Sequence, residues 1–335
     1  MVSPPGKSRA PLRPQGSAYQ RRRFISLCVS NYVRITEVAP RDGLQNEPSI
    51  VATESKRQFV RTLEKSGVDE IEITSFVHPG RVPQLADADQ LVGMLRADKP
   101  EDVVYSALVP NEQGLERLLE SNSDRPVVDK IAVFTAASET FAQKNISASI
   151  DESITRFRPV IEMARQSGLT IRAYISCAFV CPFEGPVAPS TVTHIAARLL
   201  ALGVDEIDVA DTIGAATPEH VERLIGEIFH RLGPCRDTEI GDPCLTLHLH
   251  DTHGGAAACV RQALALGVRS FDSSAGGLGG CPFAASGKVR APGNIATDLL
   301  VRTIIEAGYK CGVDPRRLEE ATKAACELLV REPAS

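Results

Sequence analysis

A short motif that joins a helix to a strand recurs along this chain and constrains its fold more than any other feature. The segment Gly67–Ile73 reads GVDEIEI, Gly203–Val209 reads GVDEIDV, and Gly267–Asp272 is a looser copy, GVRSFD. Each copy follows an amphipathic helical pattern, so the glycine is expected to end a helix and the apolar residues to enter a strand. A repeated helix–glycine–strand unit predicts parallel strands connected by helices.

Eight short runs rich in β-branched residues are candidate strands. They are Val33–Val38, Glu70–Ser75, Val103–Val109, Lys130–Thr135, Thr170–Ser176, Glu206–Ala210, Leu245–His250 and Ser270–Ser274. Eight strands that alternate with helices predict a (β/α)8 TIM barrel over residues 32–310, followed by a C-terminal helical extension over residues 311–335. The alternative is an open doubly wound sheet. Against it, the turn after the first strand reads APRDG, where a dinucleotide-binding fold has Gly-x-Gly-x-x-Gly.

Residues 1–31 differ in composition from the rest of the chain. Seven Lys and Arg residues, with several Pro and Ser, precede the first acid, Glu37, which predicts a disordered basic segment. An Arg-rich leader without acids resembles a mitochondrial transit peptide, and the alternatives are a solvated tail or a misassigned start. We therefore expect a cytoplasmic protein, or one of the mitochondrial matrix if the leader is a targeting segment.

Charge and composition exclude several classes of function. The net charge is −5, which argues against a nucleic-acid partner. No stretch approaches the ~20 consecutive apolar residues of a membrane-spanning helix, so no membrane partner is expected. The nine cysteines are scattered along the chain, which indicates reduced thiols rather than a disulfide framework. The close pair Cys177 and Cys181 flanks an apolar run and is expected to be buried.

Two histidines on one predicted strand give the sharpest indication of chemistry. In His248-Leu249-His250, the alternation of a strand points both imidazoles into the mouth of the barrel and Leu249 outward. Two imidazoles on one face indicate a metal site. Asp42, after the first strand, can supply an anionic ligand, and Asn294 can supply a carbonyl oxygen. This set suits Mg²⁺ or Mn²⁺ and leaves Zn²⁺ and Co²⁺ as alternatives.

An arginine and a glycine-rich loop flank the predicted metal site. The guanidinium of Arg41 is expected to hold a carboxylate or an enolate oxygen, to form an ion pair with Glu72 or Asp211, or both. Residues 276–280 include four glycines, so this loop either approaches a ligand closely or moves as a lid. Cys281 ends the loop and is a candidate proton donor or nucleophile.

Motifs spread over residues 33–300 resemble those of the 3-hydroxy-3-methylglutaryl-CoA (HMG-CoA) lyase family. In chain order they are ITEVAPRDGLQNE (35–47), TSFV (74–77), VPQLAD (82–87), DTIG (211–214), HLHDT (248–252) and GLGGCP (277–282). RDGLQNE and GLGGCP are specific to the lyase branch. The wider relatives are synthases that add acetyl-CoA to 2-oxo acids.

The resemblance implies a metal-dependent carbon–carbon lyase acting on an acyl-CoA thioester. The implied reaction is retro-Claisen cleavage of HMG-CoA to acetyl-CoA and acetoacetate, a step of leucine catabolism and ketone-body metabolism. The implied metal ligands are Asp42, His248, His250 and Asn294. Catalytic roles would fall to Arg41, Asp42, Glu72, His248 and Cys281. Substrate binding would fall to Arg41, Gln45, Ser75, Asp211 and Thr212.

Departures from the family pattern leave the acyl group open. The stretch 282–294 is longer than the corresponding lyase loop, and His78 and Arg81 stand near the mouth where other residues are usual. A lyase for citramalyl-CoA or a longer branched glutaryl-CoA is therefore the alternative, followed by a Claisen-condensing acyltransferase and by a non-catalytic barrel that binds acyl-CoA. The oligomeric state is also open, since the last helix is expected to pack on the barrel or on the partner subunit of a homodimer.

Overall fold

Eight strands form the centre of the structure. The computed structural model describes residues 31–123, 125–233, 245–279 and 293–330. The predicted basic segment, as far as residue 30, and the candidate Cys281 lie outside the described residues. The strands are β1 Arg34–Glu37, β2 Glu70–Ser75, β3 Val104–Leu108, β4 Lys130–Ala136, β5 Thr170–Ser176, β6 Glu206–Asp211, β7 Leu245–Leu249 and β8 Ser270–Ser273.

The strands close into a barrel. Hydrogen-bonded neighbours follow the order β1-β8-β7-β6-β5-β4-β3-β2, and β2 pairs with β1 again. The first and last strands are parallel, with Arg34 opposite Ser270 and Glu37 opposite Ser273. The prediction of a TIM barrel is confirmed, and the open doubly wound sheet is excluded. Closure also brings segments from the two ends of the sequence side by side.

Helices connect the strands and cover the outside of the barrel. The described α-helices are α1 Thr53–Ser66, α2 Ala88–Leu95, α3 Glu112–Ser121, α4 Glu139–Ile146, α5 Ile150–Gln166, α6 Pro189–Leu202, α7 Pro218–Leu232, α8 Ala256–Leu266, α9 Thr297–Glu306 and α10 Pro315–Val330. A short antiparallel hairpin of Val180–Cys181 and Gly185–Pro186 lies between β5 and α6. A single helical turn, Ala39–Gly43, follows β1.

The glycine of each copy of the repeated motif ends a helix, as predicted. Gly67, Gly203 and Gly267 follow α1, α6 and α8 with φ angles of 85°, 99° and 102°, a left-handed conformation that glycine adopts without steric penalty. In the two closer copies, the carboxylates of Asp69 and Asp205 accept a hydrogen bond from a backbone N–H of the neighbouring strand. Each of these two copies therefore ends a helix and also ties two strands together where they begin.

Replacing Gly67 with alanine is expected to destabilise the protein more than the same change at Gly267. Both positions carry the left-handed penalty of about 1–2 kcal/mol for a non-glycine residue. A Cβ at Gly67 would also lie 2.3 Å from the carbonyl oxygen of Gly312, whereas nothing lies within 4 Å at Gly267. We expect Gly67→Ala to lower the free energy of unfolding by about 1–3 kcal/mol more than Gly267→Ala. Urea denaturation of the two variants measures this, and equal losses would contradict it.

The interior of the barrel is filled by charged side chains where many barrels have branched apolar ones. Lys130 lies 2.6 Å from Glu70 and 2.7 Å from Glu206, and Arg172 lies 2.7 Å from Glu206 and 2.9 Å from Asp272. All five residues are buried. Buried charges are tolerated when they are paired and hydrogen-bonded. Apolar strand residues such as Leu249 belong to the core between the strands and the surrounding helices, whereas Leu108 and Phe134 line the cavity at the mouth.

The last helix, α10, packs against α1 of the same chain. Its apolar face buries Leu318, Ala321 and Ala325, and the backbone N–H of Asp314 donates to the carbonyl of Ser66 at 2.8 Å. The helix therefore covers the outside of the barrel, one of the two arrangements predicted for it. The boundary of a separate extension at residue 311 stays a prediction.

The predictions about membrane-spanning helices and about the cysteines can be compared with the residues that the structure describes. Among these residues, no helix combines the length and apolar character needed to cross a membrane. The described cysteines are free thiols: Cys177, Cys181, Cys259, Cys311 and Cys326. Cys177 and Cys181 are buried, as predicted from the apolar run between them.

Candidate active site at the mouth of the barrel

A cavity of about 860 Å³ opens where the barrel strands end. Polar and cationic side chains line its floor and rim, among them Arg41, Asp42, Gln45, Thr212, His248 and His250. Apolar side chains such as Phe134 and Phe157 line one wall. Since the carboxyl ends of the strands are where TIM-barrel enzymes place their active sites, this cavity is the candidate site. His78 and Arg81 also line it, as expected from their place in the sequence.

Three predicted metal ligands meet at the floor of the cavity. The ligand atoms of Asp42, His248 and His250 all lie within 4.8 Å of one another. The Nε2 atoms of the two histidines are 3.4 Å apart, so both imidazoles point to the same side of β7, as predicted. Asp42 reaches them from the turn after β1, which the closed barrel brings next to β8 and β7.

The donor set fits a cation. Asn294 Oδ1 is a buried polar atom without a hydrogen-bond partner among the described residues. The amide nitrogen of Asn294 donates to Asp42 Oδ2 at 2.8 Å and to the carbonyl of Leu278 at 3.0 Å, which leaves its carbonyl oxygen free. A buried acceptor without a donor is costly unless a cation or water satisfies it. Asn294 is thus held beside Asp42, where its predicted role as a ligand requires it to be.

The protonation states of Asp42 and His250 favour cation binding at neutral pH. Burial would raise the pKa of Asp42, but the charge of Arg41 and both histidines hold it down at about 2. Burial and the neighbouring His248 lower the pKa of His250 to about 4. Asp42 is therefore an anion and His250 a neutral imidazole, the protonation states that metal ligands need.

His248 is oriented by a carboxylate that sequence reasoning missed. Its Nδ1 lies 3.1 Å from Asp272 Oδ2, so the proton belongs on Nδ1 and the lone pair of Nε2 faces the cavity. Burial would lower the pKa of His248, but the hydrogen bond and charge of Asp272 raise it above the ordinary value. Asp272 is in turn bonded to Arg172 and to the hydroxyl of Tyr174, at 2.9 and 3.2 Å.

A sequence signal exists for the charged interior of the barrel, although it does not extend to Asp272. In both close copies of the repeated motif, acids alternate with Ile or Val, and in a strand the alternate residues share one face. Glu70 and Glu72, like Glu206 and Asp208, accordingly point into the barrel and are buried. The alternation predicts a polar interior, although it does not say which charges become partners.

Arg41 forms the ion pair with Glu72 that was one of its predicted roles. Its Nε donates to Glu72 at 2.5 Å, one terminal nitrogen donates to Asp42 at 2.7 Å, and its guanidinium lies 5.4 Å from the ring centre of Tyr174. Asp211 is not its partner and instead accepts hydrogen bonds from two backbone N–H groups, of Ala215 and Ala216. Because Arg41 also lines the cavity, the ion pair and a substrate-binding role can coexist.

The five residues predicted to bind substrate do not all face the cavity. Arg41, Gln45 and Thr212 line it, and the Gln45 amide donates to Asp42 at 2.7 Å. Ser75 is buried, and its hydroxyl accepts from the backbone N–H of Val77. Asp211 is buried as well, and its contacts order the loop after β6. The substrate-binding roles of all five residues stay predictions.

The first part of the glycine-rich loop approaches other backbone segments closely. Gly276, Gly277 and Gly279 have φ angles of 69°, 65° and 85°, which disfavour any other residue. A Cβ at Gly279 would lie 2.8 Å from the Asn294 amide nitrogen and 2.9 Å from the carbonyl oxygen of Asp42. Close approach thus explains Gly279, and the positive φ angles explain Gly276 and Gly277. Cys281, beyond them, lies outside the described residues.

Comparisons with known proteins show which family this chain is similar to. The model of the family described as HMGL-like matches residues 32–324. The rat protein named "3-hydroxy-3-methylglutaryl-CoA lyase, cytoplasmic" is 40% identical over 298 residues, which are 89% of this chain and 81% of that protein. The rat protein named "Hydroxymethylglutaryl-CoA lyase, mitochondrial" is 40% identical over 304 residues, covering 90% and 87%.

A solved structure is similar to this chain over most of its length. The crystal structure of the HMG-CoA lyase from Brucella melitensis superposes with a TM-score of 0.81 at 40% identity, covering 90% of this chain and 99% of that one. The range matched by the family model, residues 32–324, spans the closed barrel and the segments that carry the candidate ligands. With the family model, two relatives at 40% identity and this structure in agreement, the chain belongs to the HMGL-like family.

Proposed function

We propose that this protein is a carbon–carbon lyase that cleaves HMG-CoA to acetyl-CoA and acetoacetate. The observation that carries the proposal is the cluster of Asp42, His248 and His250 on the floor of the cavity, with Arg41 beside it. Membership of the HMGL-like family and 40% identity to proteins named HMG-CoA lyases support it. The cavity of about 860 Å³ can admit the acyl end of a thioester substrate.

The proposed cofactor is Mg²⁺ or Mn²⁺, held by Asp42, His248, His250 and Asn294. Two imidazoles with two oxygen donors are a set that Mn²⁺ accepts readily, and the carboxylate and amide oxygens also suit Mg²⁺. When bound, such a cation would polarise the hydroxyl and carbonyl oxygens of the substrate and lower the pKa of that hydroxyl.

The remaining chemistry is assigned to side chains of this chain. Asp42, through a water molecule, takes the proton of the C3 hydroxyl, because His248 would have no free nitrogen with the cation on Nε2 and a proton on Nδ1 beside Asp272. The C2–C3 bond then breaks, C3 becomes the ketone of acetoacetate, and the bonding electron pair becomes the enolate of acetyl-CoA. Arg41 is placed to stabilise the enolate oxygen, because the guanidinium is fixed by Glu72 and still faces the cavity. Protonation of C2 completes the reaction and is assigned to Cys281, which lies outside the described residues.

The test is product analysis with purified protein. With HMG-CoA and Mn²⁺ or Mg²⁺, liquid chromatography should show acetyl-CoA and acetoacetate appearing in equal amounts. Citramalyl-CoA and a longer branched glutaryl-CoA belong in the same panel, since preference for either would assign the acyl group differently. Release of free CoA from acetyl-CoA plus a 2-oxo acid would instead indicate a condensing acyltransferase.

Removal of divalent cations is expected to stop the reaction reversibly. Because the proposed mechanism depends on a cation at Asp42, His248 and His250, dialysis against EDTA should reduce the rate at least about 100-fold. Adding back Mn²⁺ or Mg²⁺ should restore it, while Ca²⁺ with its longer ligand distances should restore less. A chelator-treated protein that contains no metal by elemental analysis and keeps its full rate would contradict this expectation.

We also propose a cellular location and an oligomeric state for this protein. The names of the relatives include one cytoplasmic and one mitochondrial protein, and we propose that this chain is cytoplasmic. Cell fractionation tests this, and recovery in the mitochondrial matrix with the leader removed would support a transit peptide instead. A homodimer is proposed as the assembly, and sedimentation velocity would give its mass.

A further inference from the structure

The carboxylate of Glu37 has an unusual set of partners. This residue ends β1 and has no exposed surface. Its Oε1 accepts the backbone N–H groups of Ala39 and Ala275, each at 2.9 Å, and its Oε2 accepts the hydroxyl of Thr297 at 2.7 Å. Three uncharged donors thus hold one buried acid. Burial raises its pKa to about 7, although these three hydrogen bonds act in the opposite direction.

Each of the three donors lies at one end of a segment that reaches the candidate site. Ala39 opens the helical turn that carries Arg41 and Asp42. Ala275 opens the glycine-rich loop, 238 residues away from Glu37 in sequence, and Thr297 opens α9, 260 residues away. Asn294 stands three residues before Thr297. One carboxylate therefore ties together the segments that bring Asp42 and Asn294 to the cavity from opposite ends of the chain.

The three segments are packed with little space between them. The backbone N–H of Asn294 donates to the carbonyl of Gly279 at 2.8 Å, and the Asn294 amide donates to Asp42 at 2.8 Å. A Cβ at Gly43 would lie 2.9 Å from the Cβ of Leu278, and a Cβ at Gly293 would lie 1.7 Å from the carbonyl oxygen of Gly279. A shift of one segment therefore displaces the others, because backbone meets backbone without flexible side chains between.

We propose that Glu37 is a positioning residue that sets the spacing between Asp42 and Asn294, the two oxygen donors of the candidate metal site. It acts through the backbone and has no contact with substrate. An apolar residue would fill this buried position at lower cost than a carboxylate that must be desolvated. The presence of a carboxylate at this buried position is explained if the three hydrogen bonds that it accepts are needed to hold the site together. The inference rests on the proposed function for the identity of the cation.

Two substitutions, Glu37→Gln and Glu37→Ala, distinguish a positioning role of Glu37 from a role in filling the core. Glu37→Gln keeps Oε1 for both backbone donors, and its amide nitrogen can donate to the Thr297 hydroxyl, so all three bonds survive. Glu37→Ala removes all three. In chelator-treated protein without substrate, we expect Glu37→Ala to weaken Mn²⁺ binding by about 10–100-fold, as loss of outer partners does in other metal sites. Glu37→Gln should stay within about threefold of wild type. Electron paramagnetic resonance of free Mn²⁺ measures both.

A second pair of variants covers the case in which Glu37→Ala does not fold. Thr297→Val removes one of the three donors at nearly constant volume, and Thr297→Ser keeps it. We expect Thr297→Val to weaken Mn²⁺ binding measurably and Thr297→Ser to leave it within about threefold of wild type. The destabilisation control is Glu70→Gln, since Glu70 is equally buried but bonded to Lys130 at the start of β2.

The outcomes are distinct. The proposal is supported if Glu37→Ala and Thr297→Val weaken Mn²⁺ binding while Glu37→Gln, Thr297→Ser and Glu70→Gln do not. It is overturned if folded Glu37→Ala or Thr297→Val binds Mn²⁺ like wild type, if Glu37→Gln loses as much as Glu37→Ala, or if Glu70→Gln weakens binding equally. Because Mn²⁺ binding is measured without substrate, a wild-type protein that binds Mn²⁺ but forms no acetyl-CoA would contradict the proposed function alone.

Discussion

Replacing His250 with alanine is expected to abolish both HMG-CoA cleavage and tight Mn²⁺ binding while the barrel stays folded. The Nε2 atoms of His250 and His248 lie 3.4 Å apart on the cavity floor, and burial keeps His250 neutral because it lowers its pKa to about 4. The variant loses one imidazole donor and leaves Asp42 with His248. We expect kcat/KM to fall at least about 1,000-fold, or about 4 kcal/mol of transition-state stabilisation.

The control for this variant is a histidine on the following loop. His253 is exposed, so His253→Ala should keep the rate and the metal content of wild type. Both variants should be assayed by acetyl-CoA formation and by elemental analysis, with thermal unfolding to check the fold. A His250→Ala protein that is folded, free of metal and active would contradict the proposed metal site.

Much of the fold follows from local features of the sequence. Gly67, Gly203 and Gly267 predict where helices end, and the strands that follow them begin where the motif places them. The pairing of His248 and His250 on one face follows from strand alternation alone. Such features need only the periodicity of helix and strand, which the sequence expresses within a few residues.

Partners that depend on the closed barrel could not be predicted in the same way. Asp272 reaches His248 because β8 lies beside β7 in one particular register. Glu37 meets Thr297 across 260 residues, and nothing near either residue indicates the other. The orientation of the Asn294 amide likewise depends on its contacts with Asp42 and Leu278. These contacts are set by register and packing, so motifs name the residues but not their partners.

Replacing Arg41 with lysine is expected to reduce kcat at least about 100-fold while the metal site remains occupied. The guanidinium donates from Nε to Glu72 and from a terminal nitrogen to Asp42, two directions that a planar fork can serve at once. A lysine ammonium is a point charge on a flexible stem and cannot keep both contacts while facing the cavity. Because lysine keeps the positive charge, any loss of kcat would result from the changed geometry of the donors and not from a change in net charge.

The split between kcat, KM and metal affinity identifies what Arg41 does. If Arg41 stabilises the enolate, Arg41→Lys should lower kcat far more than it raises KM, because the lost interaction forms mainly in the transition state. Mn²⁺ affinity should fall by only about tenfold, because all four ligands and the positive charge beside Asp42 are retained and one hydrogen bond to Asp42 is lost. Arg57→Lys is the matched control, because Arg57 is paired with Glu54 on the surface of α1 and should leave all three values unchanged. A normal kcat in Arg41→Lys would restrict Arg41 to its ion pair with Glu72, whereas loss of Mn²⁺ binding in step with kcat would make it a support of the metal site alone.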